Sequence, residues 1–540
     1  MNFAAQIFYA NHMLDGSPKQ VGLGDNEESD PFWKSQEERL NTRKLRSSTN
    51  DGHCGKKGPV SNGAVGSQSA PMCPERLKDF GAEEYLNGNV TVLETKVAKA
   101  PEVQRMSSPV RPKEKCGNPC PPTNSAPPEF LTFEKINMAA FKIQSGVPRT
   151  PCTYSRLSKQ YGMEIFMKKE HLNYTGSVKE RGALHLLLSL ASEQQRKGVI
   201  VATDCNFSLA IAHHATELRI PVFVIMPANS SQSRLHMYRD YGAMVISYGS
   251  TAHDSQRHAH YLANENGYMC LEEDDSAEYL AGLGTVGMDI YEQVPKLDAV
   301  IIPACGICGL LASTAVAIKH LNPSISVIGV EPEEFPVLHQ SLKTDSPIQD
   351  LYGNHNRKLY KGKHVYVIHH SMGTDTFLLA KKFVNKVVTI REDDALVAML
   401  RFQEYERSMV DIEGALGVAA VTAELLPELK GKRVAIVTSS SNMELDLVRH
   451  CVDRALFLDN RVSRFTVLVG EWPGEMAKLL DMLAREDVRL LDICQRRYNE
   501  GADVFKTQVE CVVETRDKAQ NCQLRQTLSE RYPTLCWLDR

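Results

Sequence analysis

The chain has 540 residues, 42% hydrophobic and 24% charged, with a formal net charge of −4. That size and apolar content provide for two globular domains and an extension. The near balance of charge gives no footprint for nucleic acid or an anionic membrane. Residues 1–30 hold one lysine, no arginine and an acidic run from Asp25 to Asp30, which suits neither a secretory signal nor a mitochondrial transit peptide. The fourteen cysteines lack the spacing of a disulfide framework. A reduced, cytoplasmic chain is the expectation.

Residues 1–128 are polar, rich in Gly, Ser and Asn, and Pro-dense from Pro101 to Pro128. Without a sustained apolar period, most of this tail is expected to be disordered. Ser108-Pro109 is a conceivable phosphorylation site in it, but a solvated extension is the plainer reading. Cys116 and Cys120 have no further ligands nearby and carry no metal expectation.

From 129 to 458 strands and helices alternate. Glu164-Ile165-Phe166-Met167 reads as a short strand, and a helix-forming run begins near Ala183. Further β-branched runs are Gly198–Ala202, Pro221–Ile225, Ala243–Ile246, Ala299–Ile302, Val327–Val330 and Val434–Val437. This is the pattern of an α/β fold with open, mostly parallel sheets. The nearly continuous apolar stretch Ala299–Ile318 is long enough to span a bilayer. Pro303, Gly306 and Gly309 interrupt it, so it reads as a buried strand, a turn and a buried helix. No membrane span is expected. Cys305-Gly306-Ile307-Cys308 has a C-x-x-C form but no second ligand pair.

In such folds ligands sit outside the carboxyl ends of the strands. Lys179, Asn206, the 305–309 turn and Ser439 all share that address. With Thr175 or Ser177 as cap, Lys179 falls in the first turn of a helix. The helix dipole and partial burial there would lower its pKa, which an amine needs for Schiff-base chemistry near neutral pH.

Residues 462–540 form a small α+β unit. Arg464–Val469 reads as a strand, Glu471-Trp472-Pro473-Gly474-Glu475 as a turn into a helix through Leu483, and Val488–Leu491 and Phe505–Val513 as strands. A helix over Ala519–Glu530 and a possible final strand complete a βαββα order. The polar Arg461–Ser463 segment reads as its linker.

The string MKKEHLNYTGSVKERGA (Met167–Ala183) resembles the signature of pyridoxal-phosphate enzymes of the tryptophan-synthase-β fold. Within that group the chain resembles threonine/serine ammonia-lyases (threonine dehydratases) and their relative serine racemase, from about Glu134 to Leu458. Supporting segments follow in family order: Arg149-Thr150-Pro151, Val224–Pro227, Asp240–Ala243, Gly282–Thr285, Val330-Glu331-Pro332 and Glu413-Gly414-Ala415. The C-terminal unit resembles the ACT regulatory domain. The fold this implies is a two-lobed tryptophan-synthase-β-like α/β fold plus a small ACT-like domain.

The resemblance also implies roles. Lys179 would form the Schiff base with pyridoxal phosphate, Asn206 would bond its phenolic oxygen, and Ser439 its pyridine nitrogen. Amides of Gly306, Ile307, Cys308, Gly309 and Leu310 would form the phosphate cup. Thr203, Asp204 and Cys205 would meet the substrate carboxylate. An amino-acid substrate, an amino-acid effector at the C-terminal unit and a homo-oligomer complete the expectation. Several positions depart from the family. Asp204 would repel a bound carboxylate, Cys205 would be strained if that position needs φ > 0, and Val178 replaces a Phe beside the ring. The glycine loop is broken by Ile307 and Cys308, and Ser440 and Ser441 replace glycines after Ser439. The activity implied is deamination of L-threonine and/or L-serine by β-elimination. The alternatives are a catalytically impaired regulatory homologue and a serine racemase-like activity. The racemase metal triad is matched at Glu331 but not at Val337, and no metal ligand is assigned.

Overall fold

Runs of Val, Ile and Met too apolar to face water on either side become central strands here. The computed structural model describes residues 130–202, 205–348, 372–496 and 505–538. The polar tail, Ser108, Cys116 and Cys120, together with Thr203 and Asp204, lie outside the described residues. All described residues belong to the unit Pro119–Arg540.

The strands are β1 (Cys152–Tyr154), β2 (Glu164–Lys168), β3 (Val199–Val201), β4 (Val222–Met226), β5 (Met244–Ser247), β6 (Met269–Cys270), β7 (Ala299–Pro303), β8 (Ser326–Pro332), β9 (Lys386–Ile390) and β10 (Arg433–Val437). They form a six-stranded sheet in the order β1-β2-β10-β7-β8-β9 and a four-stranded sheet in the order β5-β4-β3-β6. Only β1 runs antiparallel to its neighbour. The seven runs expected from sequence, Glu164–Met167 and the six that follow it, all become strands. β1 and β6, three and two residues long, are too short to stand out, and the edge strand β9 is not named from the sequence.

The strand order positions the site. β2, β10 and β7 are parallel neighbours, with Val434 opposite both Ile165 and Ala299. The chain leaving β2 therefore runs toward Lys179, that leaving β10 toward Ser439, and that leaving β7 into the 305–309 turn, all at one sheet edge. In the other sheet, β3 leads to Cys205 and Asn206, and its neighbour β6 leads to Glu273.

Of helices α1 (Lys179–Ser189), α2 (Asn206–Glu217), α3 (Ala277–Gln293) and α4 (Gly309–Leu321), α2 and α4 lie against these sheets, and α1 and α3 pack against each other and against those two helices. The apolar stretch 299–318 resolves as expected into buried β7, a turn and the buried body of α4. Helices α1 and α3 meet closely at Gly182 and Gly282, where a Cβ on Gly282 would lie 2.4 Å from the Arg181 carbonyl oxygen. Any larger residue would force the helices apart.

Charged residues of the signature are consumed by structure. Arg181 Nη2 lies 2.8 Å from Glu170 Oε1 and 2.7 Å from Asp289 Oδ2, and Lys168 Nζ lies 3.1 Å from that same Asp289 oxygen. Thr150 Oγ1 donates to Glu170 at 2.6 Å. Lys168 and Glu170 are fully buried. Although burial opposes its ionisation, Arg181 and Lys168 hold the Glu170 carboxyl down at about 2.

α5 (Val337–Thr344) follows β8, and α6 (Ile412–Thr422) and α7 (Leu445–Leu458) flank β10. Beyond α7 come β11 (Val462–Gly470), α8 (Pro473–Arg485), β12 (Arg489–Arg496), β13 (Lys506–Glu514), α9 (Lys518–Arg531) and β14 (Cys536–Trp537). Their antiparallel sheet has the order β12-β13-β11-β14, a βαββαβ arrangement that includes the final strand. Phe465, Val467, Leu479, Val509, Cys511 and Leu524 form its core. The expected linker is not one: Val462 and Ser463 are buried in β11. Arg461 instead lies 2.6 Å from Glu404 and 2.9 Å from Asp459. Among the described residues no helix is long and apolar enough to cross a membrane, and the described cysteines are free thiols.

Candidate active site

Lys179 opens α1, but the cap differs from expectation. Val178 occupies the cap position without a side-chain bond. Ser177 Oγ accepts the Lys179 amide at 3.2 Å, and Thr175 Oγ1 is buried without a hydrogen bond. Glu180 fixes the preceding loop by accepting the Thr175 amide, with His214 Nε2 3.3 Å from its other oxygen. The Val178 amide donates to the Ser439 carbonyl at 2.8 Å, and Ser177 bridges to Ser440. Lys179 is thus clamped to the end of β10.

Its amine is not the free base the sequence implied. Lys179 Nζ lies 2.7 Å from Glu273 Oε2, with the two side chains only 12% and 5% exposed. Tyr279 donates its hydroxyl to the other Glu273 oxygen at 3.2 Å. Burial pulls the amine down, but Glu273 first and then Glu413 outweigh it and hold the amine well above its ordinary value. Two carboxylates override the helix dipole. Glu413, on α6, is pushed up by burial, Lys179 opposing and Asp411 and Glu273 adding to the rise. Asp411 accepts from the Gly414 amide at 2.8 Å and from Ser440 Oγ at 2.8 Å.

The other expected residues converge here. Asn206 starts α2, and its Oδ1 accepts from Asn442 Nδ2 at 2.9 Å, while Asn442 Nδ2 also donates to the Thr175 carbonyl at 2.6 Å. The Asn206 –NH2 group is left as a donor. Cys205 sits at φ −147°, so the strain expected there is absent. The left-handed positions are Gly306 and Cys308, at φ 62° and 59°. A Cβ on Gly306 would lie 3.4 Å from Glu273 Oε1, which places that turn beside the lysine pair. Cys308 caps α4, whose first-turn amides of Gly309, Leu310 and Leu311 have no partners within the helix. Cys308 pays roughly 1–2 kcal/mol for a conformation glycine adopts freely. Ser439 Oγ is buried without a hydrogen-bond partner among the described residues. Thr203 and Asp204 lie outside the described residues.

Glu273, Tyr279 and Asn442 were not singled out by the sequence. Glu273 belongs to the run Glu272-Glu273-Asp274-Asp275, which reads as a solvated acidic turn. Glu331, matched above to a metal triad, spends its oxygens on the Leu338 and His339 amides at 3.0 and 2.8 Å, and so caps α5. Burial pushes its carboxyl up to about 8.

A lysine, an unpaired buried hydroxyl and a helix start meeting at parallel strand ends define a site for an aldehyde cofactor that also carries a ring nitrogen and an anionic group. The family model for pyridoxal-phosphate dependent enzymes matches residues 143–440. The chain is 30% identical to the L-threonine ammonia-lyase of Thermotoga maritima over 72% of its own length and 95% of that protein's. It is 29% identical to the L-threo-3-hydroxyaspartate ammonia-lyase of Saccharomyces cerevisiae, over 58% of this chain and 94% of that one. The crystal structure of serine racemase from Dictyostelium discoideum superposes with a TM-score of 0.53 at 26% identity, covering 58% of this chain and all of that one. The chain belongs to the pyridoxal-phosphate dependent enzyme family.

The residues present fit that cofactor. Among the described residues, Ser439 offers a buried hydroxyl that lacks a partner, Asn206 an amide donor, and the start of α4 a set of backbone N–H groups, although the Cys308 N–H is spent on the Cys305 carbonyl at 3.0 Å.

Proposed function

We propose that the protein is an ammonia-lyase that deaminates L-threonine and/or L-serine by β-elimination, yielding a 2-oxo acid and ammonia. The observation that carries this reading is the enclosed Lys179 amine at the strand ends where the unpaired Ser439 hydroxyl and the start of α4 also lie. Bound pyridoxal phosphate supplies an electron sink that lets a Cα–H bond break. Ser439 would hydrogen-bond the ring nitrogen without a formal charge, a setting sufficient for β-elimination. Asn206 would orient the ring through its phenolic oxygen, and the amides of Gly306, Ile307, Gly309 and Leu310 would hold the phosphate, whereas the Cys308 amide, expected to join them, donates to the Cys305 carbonyl. Lys179 Nζ would be the base that removes the α-proton. Thr203, Asp204 and Cys205 would face the substrate carboxylate.

The test is to incubate purified chain and pyridoxal phosphate with each amino acid, measuring ammonia and 2-oxo acid. Release from L-threonine or L-serine is expected; none from either, with cofactor fixed on Lys179 by borohydride, would leave a cofactor-binding regulatory homologue. That second reading draws on the Glu273 pairing and the left-handed Cys308. Glu331's use as a helix cap speaks against the metal triad of the racemase alternative.

We further propose that residues 129–458 are the catalytic part and 462–540 an ACT-like regulatory part binding an amino-acid effector. The βαββαβ order supports this, and the exposed Leu491 and Ile493 on edge strand β12 support pairing of two copies. Free thiols support a cytoplasmic location.

A further inference from the structure

Glu273 stands out among the charged groups of the molecule because it touches the reacting nitrogen. Among the described residues the other buried ion pairs close among themselves, Glu170 with Arg181 and Lys168, and Lys169 with Glu406. Glu273 reaches across from the segment after β6, in the four-stranded sheet, to a lysine positioned by the six-stranded sheet.

We propose that Glu273 is a catalytic residue of this chain, the counter-ion that holds the Lys179 ammonium and must release it before the amine attacks an aldehyde. The geometry is a 2.7 Å pair with a second oxygen fixed by Tyr279. The groups facing Lys179 are Glu273 and Tyr279, Glu413 and Asp411 on the α6 side, and Cys205 and Cys305. Among the described residues three of them are carboxyls and none is a second cation, so proton loss from the amine is opposed from several sides. Burial of Tyr279 and Cys305 keeps both as neutral donors.

The chemistry balances in two steps. For cofactor capture, the Lys179 ammonium first gives a proton to solvent. The neutral nitrogen then forms a bond to the aldehyde carbon, and the carbonyl oxygen leaves as water. During turnover, which rests on the ammonia-lyase reading, the freed Lys179 amine takes the α-proton and becomes an ammonium again. Glu273 stabilises that ammonium. One carboxylate therefore slows capture and strengthens the base, so its removal moves the two in opposite directions.

The experiment uses the full chain as wild type, Glu273→Gln and Glu273→Asp, with thermal melts to establish that each folds. Lys179 in cofactor-free protein is acylated with an amine-reactive ester from pH 6 to 11, and its labelling is followed by mass spectrometry. Glu273→Gln should lower the pH for half-maximal labelling rate by at least one unit, and Glu273→Asp by less. Equal midpoints in wild type and Glu273→Gln would overturn the proposal whatever the reaction is. Cofactor capture, fixed by borohydride, should then be tenfold faster in Glu273→Gln at neutral pH, while kcat for ammonia release falls tenfold or more at unchanged KM. A shift in labelling without ammonia from wild type would defeat the lyase reading and leave the counter-ion standing. Capture and kcat falling together would overturn the second half of the proposal.

Discussion

The main-chain N–H of Val178 donates to the carbonyl oxygen of Ser439 at 2.8 Å. That single bond fixes the distance between the two expected ends of a pyridoxal ring, because Lys179 follows Val178 and the Ser439 side chain bears the unpaired hydroxyl. Residues 260 positions apart meet because β2 and β10 are parallel neighbours in register. The site is thus a property of strand order, held by backbone groups that side-chain replacement leaves intact.

Ser439→Ala separates cofactor affinity from stability. The hydroxyl is buried without a partner, and such a group costs about 1–3 kcal/mol of desolvation. The cofactor-free variant should therefore match wild type or exceed it by up to ~1 kcal/mol in urea melts. Its affinity for pyridoxal phosphate should fall about tenfold, the loss of one neutral hydrogen bond of ~1.4 kcal/mol. A variant clearly less stable without cofactor would show that Ser439 already has a partner.

Lys179→Ala should abolish both ammonia release and borohydride-fixed cofactor while the chain still folds, since the local anchors are the Val178 and Ser177 backbones. It also removes the 2.7 Å ion pair with Glu273, so the cofactor-free variant should melt below wild type. Wild-type ammonia release by the variant would remove Lys179 from the chemistry.

Glu170→Ala should be the most destabilising of these changes, by about 3 kcal/mol, because it removes the buried carboxylate that Arg181 and Lys168 share and leaves both cations to Asp289. The pH dependence has a definite sign. The folded carboxyl lies at about 2 against an ordinary 4.5. Its contribution is therefore complete above pH 4.5 and lost as pH falls toward 2. Acid unfolding of wild type in that window, absent in the variant, is the measurement.

Much of the frame was legible because its signals are local. Valine-rich runs named the strands, Asn206 and Ser439 lie within a few residues of strand ends, and Lys179 follows β2 at the start of the next long helix. What escaped is long-range. Nothing local distinguishes Glu273 from its three acidic neighbours; only the pairing of β6 with β3 aims it at Lys179. The same pairing reverses the expected pKa shift of the lysine. Backbone strain was placed at Cys205 and occurs at Cys308, since a broken glycine motif does not say which remaining position turns left-handed. The linker was misjudged because Arg461 is polar in sequence but ion-paired in space.

The C-terminal unit supplies the final prediction. A chain ending at Leu458 loses the pairs that join the two parts, Arg401 with Asp459 at 2.6 Å and Glu404 with Arg461 at 2.6 Å. These groups are partly exposed, and such pairs contribute about 0–1 kcal/mol each, so the catalytic part should stay folded. Lys179, Asn206, Glu273 and Ser439 all remain. An effector acts only by binding two states unequally, and that difference is placed in the βαββαβ unit. The shortened chain should capture pyridoxal phosphate with unchanged affinity, yet lose any response of its activity to isoleucine or valine. Removing edge strand β12 should also lower the mass seen in sedimentation. If the shortened chain keeps both its effector response and its assembly, regulation and pairing belong to residues before 459.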